Sequence, residues 1–374
     1  MRYTTRVAVA LFALVALVAA GCGSDDGEAA NADLPTVAVT TNILGDVVEQ
    51  MAGDHINVIT IMPVGADPHD FQASAQQVAD IADADVLITN GAAFEEGLID
   101  VIESTESDGV PVFEAISVVQ TIEFGEGGGH DDHGHDDEHG DDDHDDDHDD
   151  EHKDEDHDDE HKDEDHDDEH GDDDHDDEHK DEDEHGHEDE HGHAHDGDDP
   201  HFFTDPARMA DAAQGIATFL ADNLDGVDVE AMQADAAEYI DELEALDADV
   251  ESTLSSLADD QRVLITNHEV FGYFAERYGF EVVGTVIPGG STNDSTSAQA
   301  LAELAEVIEH EGVPAIFSDT SSSDELIDTL AAEVGDIEVV ELFTESLGAA
   351  DSDGGTYLEM VQTNAERIAA ALGG

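Results

Sequence analysis

Tryptophan is absent from this 374-residue chain, and it contains a single cysteine, Cys22. One cysteine excludes a disulfide within the chain. Cations are almost as scarce: Lys and Arg together number 9 against 100 Asp and Glu, for a formal net charge of -91. That balance excludes a nucleic-acid partner, whose phosphates would have to be neutralised by Lys and Arg. Outside the N-terminus and an acidic tract, the strong cations are Arg208, Arg262, Arg277 and Arg367, with no lysine. Such a composition suits a salt-adapted, halophilic surface, because high salt shortens the Debye length to a few ångströms and screens acidic self-repulsion. The protein is therefore expected to melt lower in dilute buffer than in molar salt; a melting temperature indifferent to salt would sink this reading.

Long apolar runs are also missing, with one exception. The basic start Met1-Arg2-Tyr3-Thr4-Thr5-Arg6 leads into an apolar stretch from Val7 to Ala20 that ends on Gly21-Cys22. It is short for a bilayer span and closes on small residues, which is the pattern of an export signal. Leu17-Val18-Ala19-Ala20-Gly21-Cys22 is similar to a bacterial lipobox, whose cysteine becomes the lipid-modified first residue of the mature chain. Residues 1–21 are thus expected to be a lipoprotein signal peptide, Cys22 the lipidation site and residues 22–34 a flexible tether. The expected location is extracytoplasmic, as a monomer held by its lipid to the outer face of the cytoplasmic membrane.

What is abundant is acid and histidine in one place. Across residues 125–198 the apolar side chains nearly vanish, leaving Asp, Glu, His and Gly with three lysines. A segment of this kind cannot bury enough apolar surface to offset its ordering entropy, so a disordered insertion is expected. Asp149-Asp150-Glu151-His152 recurs at Asp158, Asp167 and Asp176, a period of nine, but the repeats hold nothing that could form a solenoid core. The tract carries eighteen histidines between His130 and His195, among them His133, His135, His139, His185, His187, His191 and His193. They are candidate weak metal sites, the alternative being a solvated acidic linker.

Either side of the tract, β-rich runs alternate with helical patterns. Thr36–Thr40, Ile56–Ile61 and Asp85–Thr89 read as strands, and Ile43, Val47, Val48 and Met51 mark a helix face. After the tract, Pro206–Leu220 and Val229–Leu257 read as helices, the second carrying Tyr239, Ile240, Leu243, Leu246 and Val250 on one face. Four more strands are predicted at 262–266, 281–286, 314–318 and 337–341, with a closing helix over 357–372. The expected fold class is α/β: two similar βα lobes with mostly parallel sheets, joined by a long interlobe helix. The boundaries follow: an N-terminal lobe over 35–124 and 199–227, the interlobe helix over 228–258, and a C-terminal lobe over 259–374.

Outside the tract there are five histidines, and three stand where α/β folds gather ligands, beyond the carboxyl ends of strands. His69 and His201 each close an Asp-Pro-His tripeptide, in which proline stiffens the turn that carries the imidazole. His268 follows the predicted strand at 262–266 and precedes a helix expected to begin near Glu269.

The pieces Pro63-Val64-Gly65-Ala66-Asp67-Pro68-His69, Asp199-Pro200-His201-Phe202-Phe203-Thr204-Asp205-Pro206, Thr266-Asn267-His268-Glu269-Val270-Phe271-Gly272 and Leu342-Phe343-Thr344-Glu345-Ser346-Leu347 carry a clear resemblance. The chain resembles the metal-specific, cluster A-I solute-binding lipoproteins of ABC transporters. The resemblance implies a metal site between the lobes with His69, His201, His268 and Glu345 as ligands, and a membrane permease with its cytoplasmic ATPase as partners. Two departures stand out: Phe203 replaces a common tryptophan, and Glu345 stands where aspartate is familiar. Asp319 is a competing carboxylate for the fourth position.

Three imidazoles and one carboxylate suit four-coordinate zinc, whereas manganese is better served by more oxygen ligands. Zinc is the expected transported ion, with manganese less favoured and iron or copper behind. A zinc hydrolase is disfavoured because His268-Glu269 lacks the second histidine of a His-Glu-x-x-His helix, Gly272 standing there, and no Gly-x-Ser-x-Gly turn occurs. A surface adhesin or metal store is the other alternative.

Overall fold

The structure, a computed structural model, describes residues 34–124 and 197–374 apart from 324 and 336. The signal segment, Cys22 and the histidines from His130 to His195 lie outside the described residues. No helix among the described residues is long and apolar enough to cross a membrane.

Two four-stranded sheets share one plan. The first holds β1 (Thr36–Val39), β2 (Asn57–Thr60), β3 (Val86–Thr89) and β4 (Val112–Glu114) in the order β2-β1-β3-β4. The second holds β5 (Val263–Thr266), β6 (Glu281–Thr285), β7 (Ala315–Asp319) and β8 (Glu338–Leu342) in the order β6-β5-β7-β8. Every pairing is parallel. In each sheet the first strand is flanked by the next two, so the order in which strands are added reverses beside it. The crevice beyond its carboxyl end is the place where such sheets bind ligands. Strand β4 went unpredicted: it is three residues long and its burial is partial, so no alternation marks it.

The helices follow from local signals. Thr41 caps α1 (Asn42–Ala52) by accepting from Leu44 N at 3.2 Å, and Ile43, Leu44, Val47, Val48 and Met51 form its buried stripe. Asp205 caps α4 (Pro206–Asn223), where proline at the first position costs no helical hydrogen bond. The longest helix, α5 (Val229–Leu254), buries Met232, Ala236, Tyr239, Leu243, Leu246, Val250 and Leu254, spaced three or four apart. It packs on α4, on α1 and on the closing helix α9 (Tyr357–Gly373). One hydrophobic core therefore runs under α5 from β1 and α1 to β5 and α9, while smaller cores fill the outer side of each sheet. Each fully buried Leu or Val in it contributes roughly 1.5–3 kcal/mol.

The scarce cations sit at junctions. Arg208 pairs with Asp205 and with Glu276 of α6 (Gly272–Tyr278) while lying over the Tyr273 ring. Arg277 pairs with Asp247 of α5. Arg262 donates to the Tyr278 carbonyl, and Arg367 to the Glu341 carbonyl. Helix α6 begins three residues later than expected. The Glu269 amide donates to the Gly289 carbonyl at 3.0 Å and the Val270 amide to the His268 carbonyl at 2.9 Å, so neither amide joins a helical hydrogen bond there. Glu123 and Asp198 form an antiparallel bridge, so the described residues on either side of 125–196 lie side by side.

Candidate metal centre

Chain geometry beyond β2 builds the first donor. Ile61 and Met62 continue the pairing with Val39 and Thr40, then the chain turns through Gly65, whose φ is +79°. Asp67 Oδ1 accepts the His69 amide at 2.9 Å across Pro68. The second tripeptide repeats the device, with Asp199 Oδ1 accepting the His201 amide at 2.9 Å. In both, a short carboxylate bond and a fixed proline φ set the direction of the imidazole. His268 is fixed beyond β5, where its carbonyl accepts from Thr266 Oγ1 at 2.8 Å. Glu345 follows β8 on a loop held by Asn364, which accepts from the Phe343 amide and donates to the Phe343 carbonyl.

These four side chains meet although they are up to 276 positions apart. The Nε2 atoms of His69, His201 and His268 lie 2.7, 3.2 and 3.1 Å from one oxygen, Oε1 of Glu345. One donor atom from each of the four falls within 4.8 Å of every other. A tetrahedral zinc site with ligands about 2.0–2.2 Å from the ion has edges of roughly 3.3–3.6 Å, close to these spacings. All four residues are buried, at 4 % exposure or less. Phe94 packs edge-on against both His69 and His201, and Phe203 against His201, giving the centre an apolar wall.

The outer ring nitrogens are also engaged. His69 Nδ1 faces Glu96 Oε1 at 3.1 Å, and His201 Nδ1 faces Asp199 Oδ1 at 2.7 Å. With Nε2 on Glu345 as well, each of these rings lies between two carboxylates, an arrangement satisfied without metal only when both nitrogens carry protons. Burial opposes charge on His69, but the Glu345, Glu96 and Asp67 carboxylates together outweigh it and lift the ring to about 10. Burial opposes charge on His201 as well, and Asp199 and Glu345 together overcome it, so this ring is likewise raised. Burial would push Glu345 up, yet the surrounding imidazoles hold it well below the ordinary carboxylate range. Glu96, pushed up by burial, is brought down to about 2 mainly by the His69 ring.

Two buried atoms of the centre, Glu345 Oε2 and His268 Nδ1, have no hydrogen-bond partner. A buried carboxylate with one oxygen unpartnered is costly, and a divalent cation among the four donors would compensate it. The donor set therefore fits a metal.

Asp319 is buried at the end of β7, where it accepts from the Ser321 amide and hydroxyl. It stands outside the four-residue group. His55 pairs with Asp235 and His310 with Glu311, both away from the centre. Sequence reasoning overlooked Phe94 and Glu96. Their position just beyond β3 was an available signal, because loops after strand ends face the same crevice.

The lobes also grip each other across the centre. Asn42 of α1 donates to Ser346 Oγ at 3.0 Å and accepts the Leu347 amide at 2.8 Å, fixing the residues next to Glu345. Ser346 Oγ accepts the Gly65 amide at 2.7 Å. Tyr357 Oη donates to the Phe203 carbonyl and Tyr273 Oη to the Asp199 carbonyl.

Residues 37–371 match the family described as zinc-uptake complex component A, periplasmic. The chain is similar to the manganese-binding lipoprotein MntA of Halalkalibacterium halodurans, with 22% identity over 361 residues that cover 96% of each chain. It is similar to the zinc-binding protein TroA of Treponema pallidum, with 40% identity over 139 residues, 36% of this chain and 44% of that one. The solved structure of the periplasmic zinc-binding protein TroA superimposes with a TM-score of 0.68 at 25% identity, covering 91% of this chain and 99% of that chain.

Proposed function

The chain belongs to the zinc-uptake complex component A family, and on that premise we propose that it captures zinc between its lobes and delivers it to an ABC permease. The family consists of substrate-binding components of metal ABC transporters rather than enzymes, which implies a permease and an ATPase as partners and an extracytoplasmic, membrane-anchored location. Anchoring falls to Cys22 in this reading.

The observation that carries the proposal is the convergence of three Nε2 atoms on one Glu345 oxygen. His69 and His201 come from the N-terminal lobe, His268 and Glu345 from the C-terminal lobe. A few ångströms of lobe separation would leave two half-sites of two ligands each, and neither half binds an ion tightly. Docking on a permease that parts the lobes is thus a sufficient release mechanism. Nitrogen-rich coordination favours zinc over manganese. The rival choice is supported by relatives named for manganese.

The histidines between His130 and His195 act in this reading as a weak collector that raises the local metal concentration. Competitive titration of zinc and manganese at high salt tests the whole. The full chain is compared with His69→Ala, with Glu345→Ala, and with a chain lacking residues 127–197. One tight, zinc-preferring site that survives the deletion and disappears in His69→Ala supports import, and loss of weak sites on deletion supports the collector. Preference for manganese would reassign the cargo; absence of any tight site after the deletion would make the protein a histidine-tract store.

A further inference from the structure

The segment joining β6 to α7 (Ala298–Glu311) crosses to the other lobe. Gly289 takes a φ of +114°, and Gly290 comes so close to Phe124 that a Cβ would lie 2.1 Å from its ring. These two glycines bring Ser291, Thr292 and Asn293 onto the loop that carries His69. Thr292 Oγ1 donates to Asp67 Oδ2 at 2.6 Å, the carboxylate whose other oxygen holds the His69 amide. Asn293 Nδ2 donates to the His69 carbonyl at 2.9 Å and stands 3.4 Å from Glu96 Oε2. Glu96 is the carboxylate that faces His69 Nδ1 and is also bonded by Ser291.

Each of these bonds lands on a group that sets the direction of His69, and each crosses between lobes. Neither Thr292 nor Asn293 offers an atom to the four-donor group. We propose that Thr292 and Asn293 are positioning residues that clasp the His69 loop from the opposite lobe and thereby set how slowly the bound metal escapes. The inference rests on the metal-import reading and adds to it a pair of residues that control retention.

The clasp lies at the more exposed edge of the centre: Asn293 is exposed and Asp67, Glu96 and Thr292 are half-buried, whereas the ligands are buried. Escape of the ion requires the His69 loop to move or the lobes to part, and either motion must break the bonds from Thr292 and Asn293 to that loop. Hydrogen bonds to charged groups are the stronger kind, so loss of two is expected to speed escape about tenfold or more.

The test uses the full chain, loaded with half an equivalent of zinc so that the tightest site fills first, then mixed with excess chelator. The release rate is read alongside the melting temperature of the metal-free protein. The double variant Thr292→Val, Asn293→Ala is expected to release zinc about tenfold faster or more, with metal-free melting lowered by only a few degrees. Thr292→Ser, which keeps the hydroxyl, is expected to release at the parental rate. Asn293→Ala alone alters an exposed side chain and is expected to give an intermediate acceleration, which keeps the proposal testable should the double variant misfold. Parental release rates in these variants would overturn the clasp while leaving import standing. A parent chain with no tight zinc would overturn the import reading and the clasp with it.

Discussion

The two Asp-Pro-His turns are the same three residues in two settings. At His201 one carboxylate oxygen, Asp199 Oδ1, serves both the backbone amide and the ring, and the whole turn is buried. At His69 the work is divided. Asp67 holds the amide, Glu96 the ring, and the second oxygen of Asp67 reaches across to Thr292. The first turn is orientated from within; the second depends on residues of another loop and another lobe. An identical motif thus holds one imidazole from within its own turn and the other on a loop tied to the opposite lobe.

The largest expected effect that separates them is on stability. Substituting His201→Ala leaves Asp199 buried without its ring partner, and breaking a buried pair costs about 3–5 kcal/mol. Thermal melting of the metal-free protein should fall clearly in His201→Ala and much less in His69→Ala, since Glu96 remains partly open to water. Equal losses would erase the distinction.

Next in size is affinity. Outer partners of a metal-bound imidazole typically matter 10–100-fold, so Asp199→Asn should weaken zinc by about that factor in chelator competition. Asp67→Asn, which leaves the His69 ring and its Glu96 partner in place, should weaken it by less than about tenfold. The reverse order would show that the backbone bond, not the ring bond, governs ligand geometry.

The smallest effect is a count of protons. His69 and His201 each lie between two carboxylates and are raised, so near neutral pH the metal-free centre holds protons that a metal must displace; affinity then rises with pH. Calorimetry in buffers of different ionisation enthalpy should find about two protons released per zinc. In Glu96→Gln, where the His69 ring loses one carboxylate, the number should move toward one. A release unaffected by Glu96→Gln would place the displaced protons elsewhere.

How much of this was legible beforehand depends on how local each signal is. The seven predicted strands are short runs rich in β-branched and other apolar residues, and all seven are present within a residue or two at each end. The α5 face reads directly from its spacing. The rigid turns at His69 and His201 are local chemistry and were visible as Asp-Pro-His. The choice of Glu345 over Asp319 was not local: both are buried acids just beyond or at the end of neighbouring strands, and only the tertiary arrangement brings one of them to the three Nε2 atoms. Thr292 and Asn293 were invisible for the same reason. Thr292 and Asn293 act on residues 225 and 224 positions away, through a segment whose own sequence reads only as a polar turn.

The absence of tryptophan has an optical consequence. Tyr239, Tyr273, Tyr278 and Tyr357 are the tyrosines among the described residues, and all are buried. Two of them, Tyr273 and Tyr357, donate their phenolic protons to carbonyls of the other lobe at 2.6 and 2.8 Å. A parting of the lobes that separates these pairs would strip the phenols of their acceptors. Near-ultraviolet absorption and tyrosine emission, with no indole to mask them, therefore report on lobe separation in the unlabelled protein.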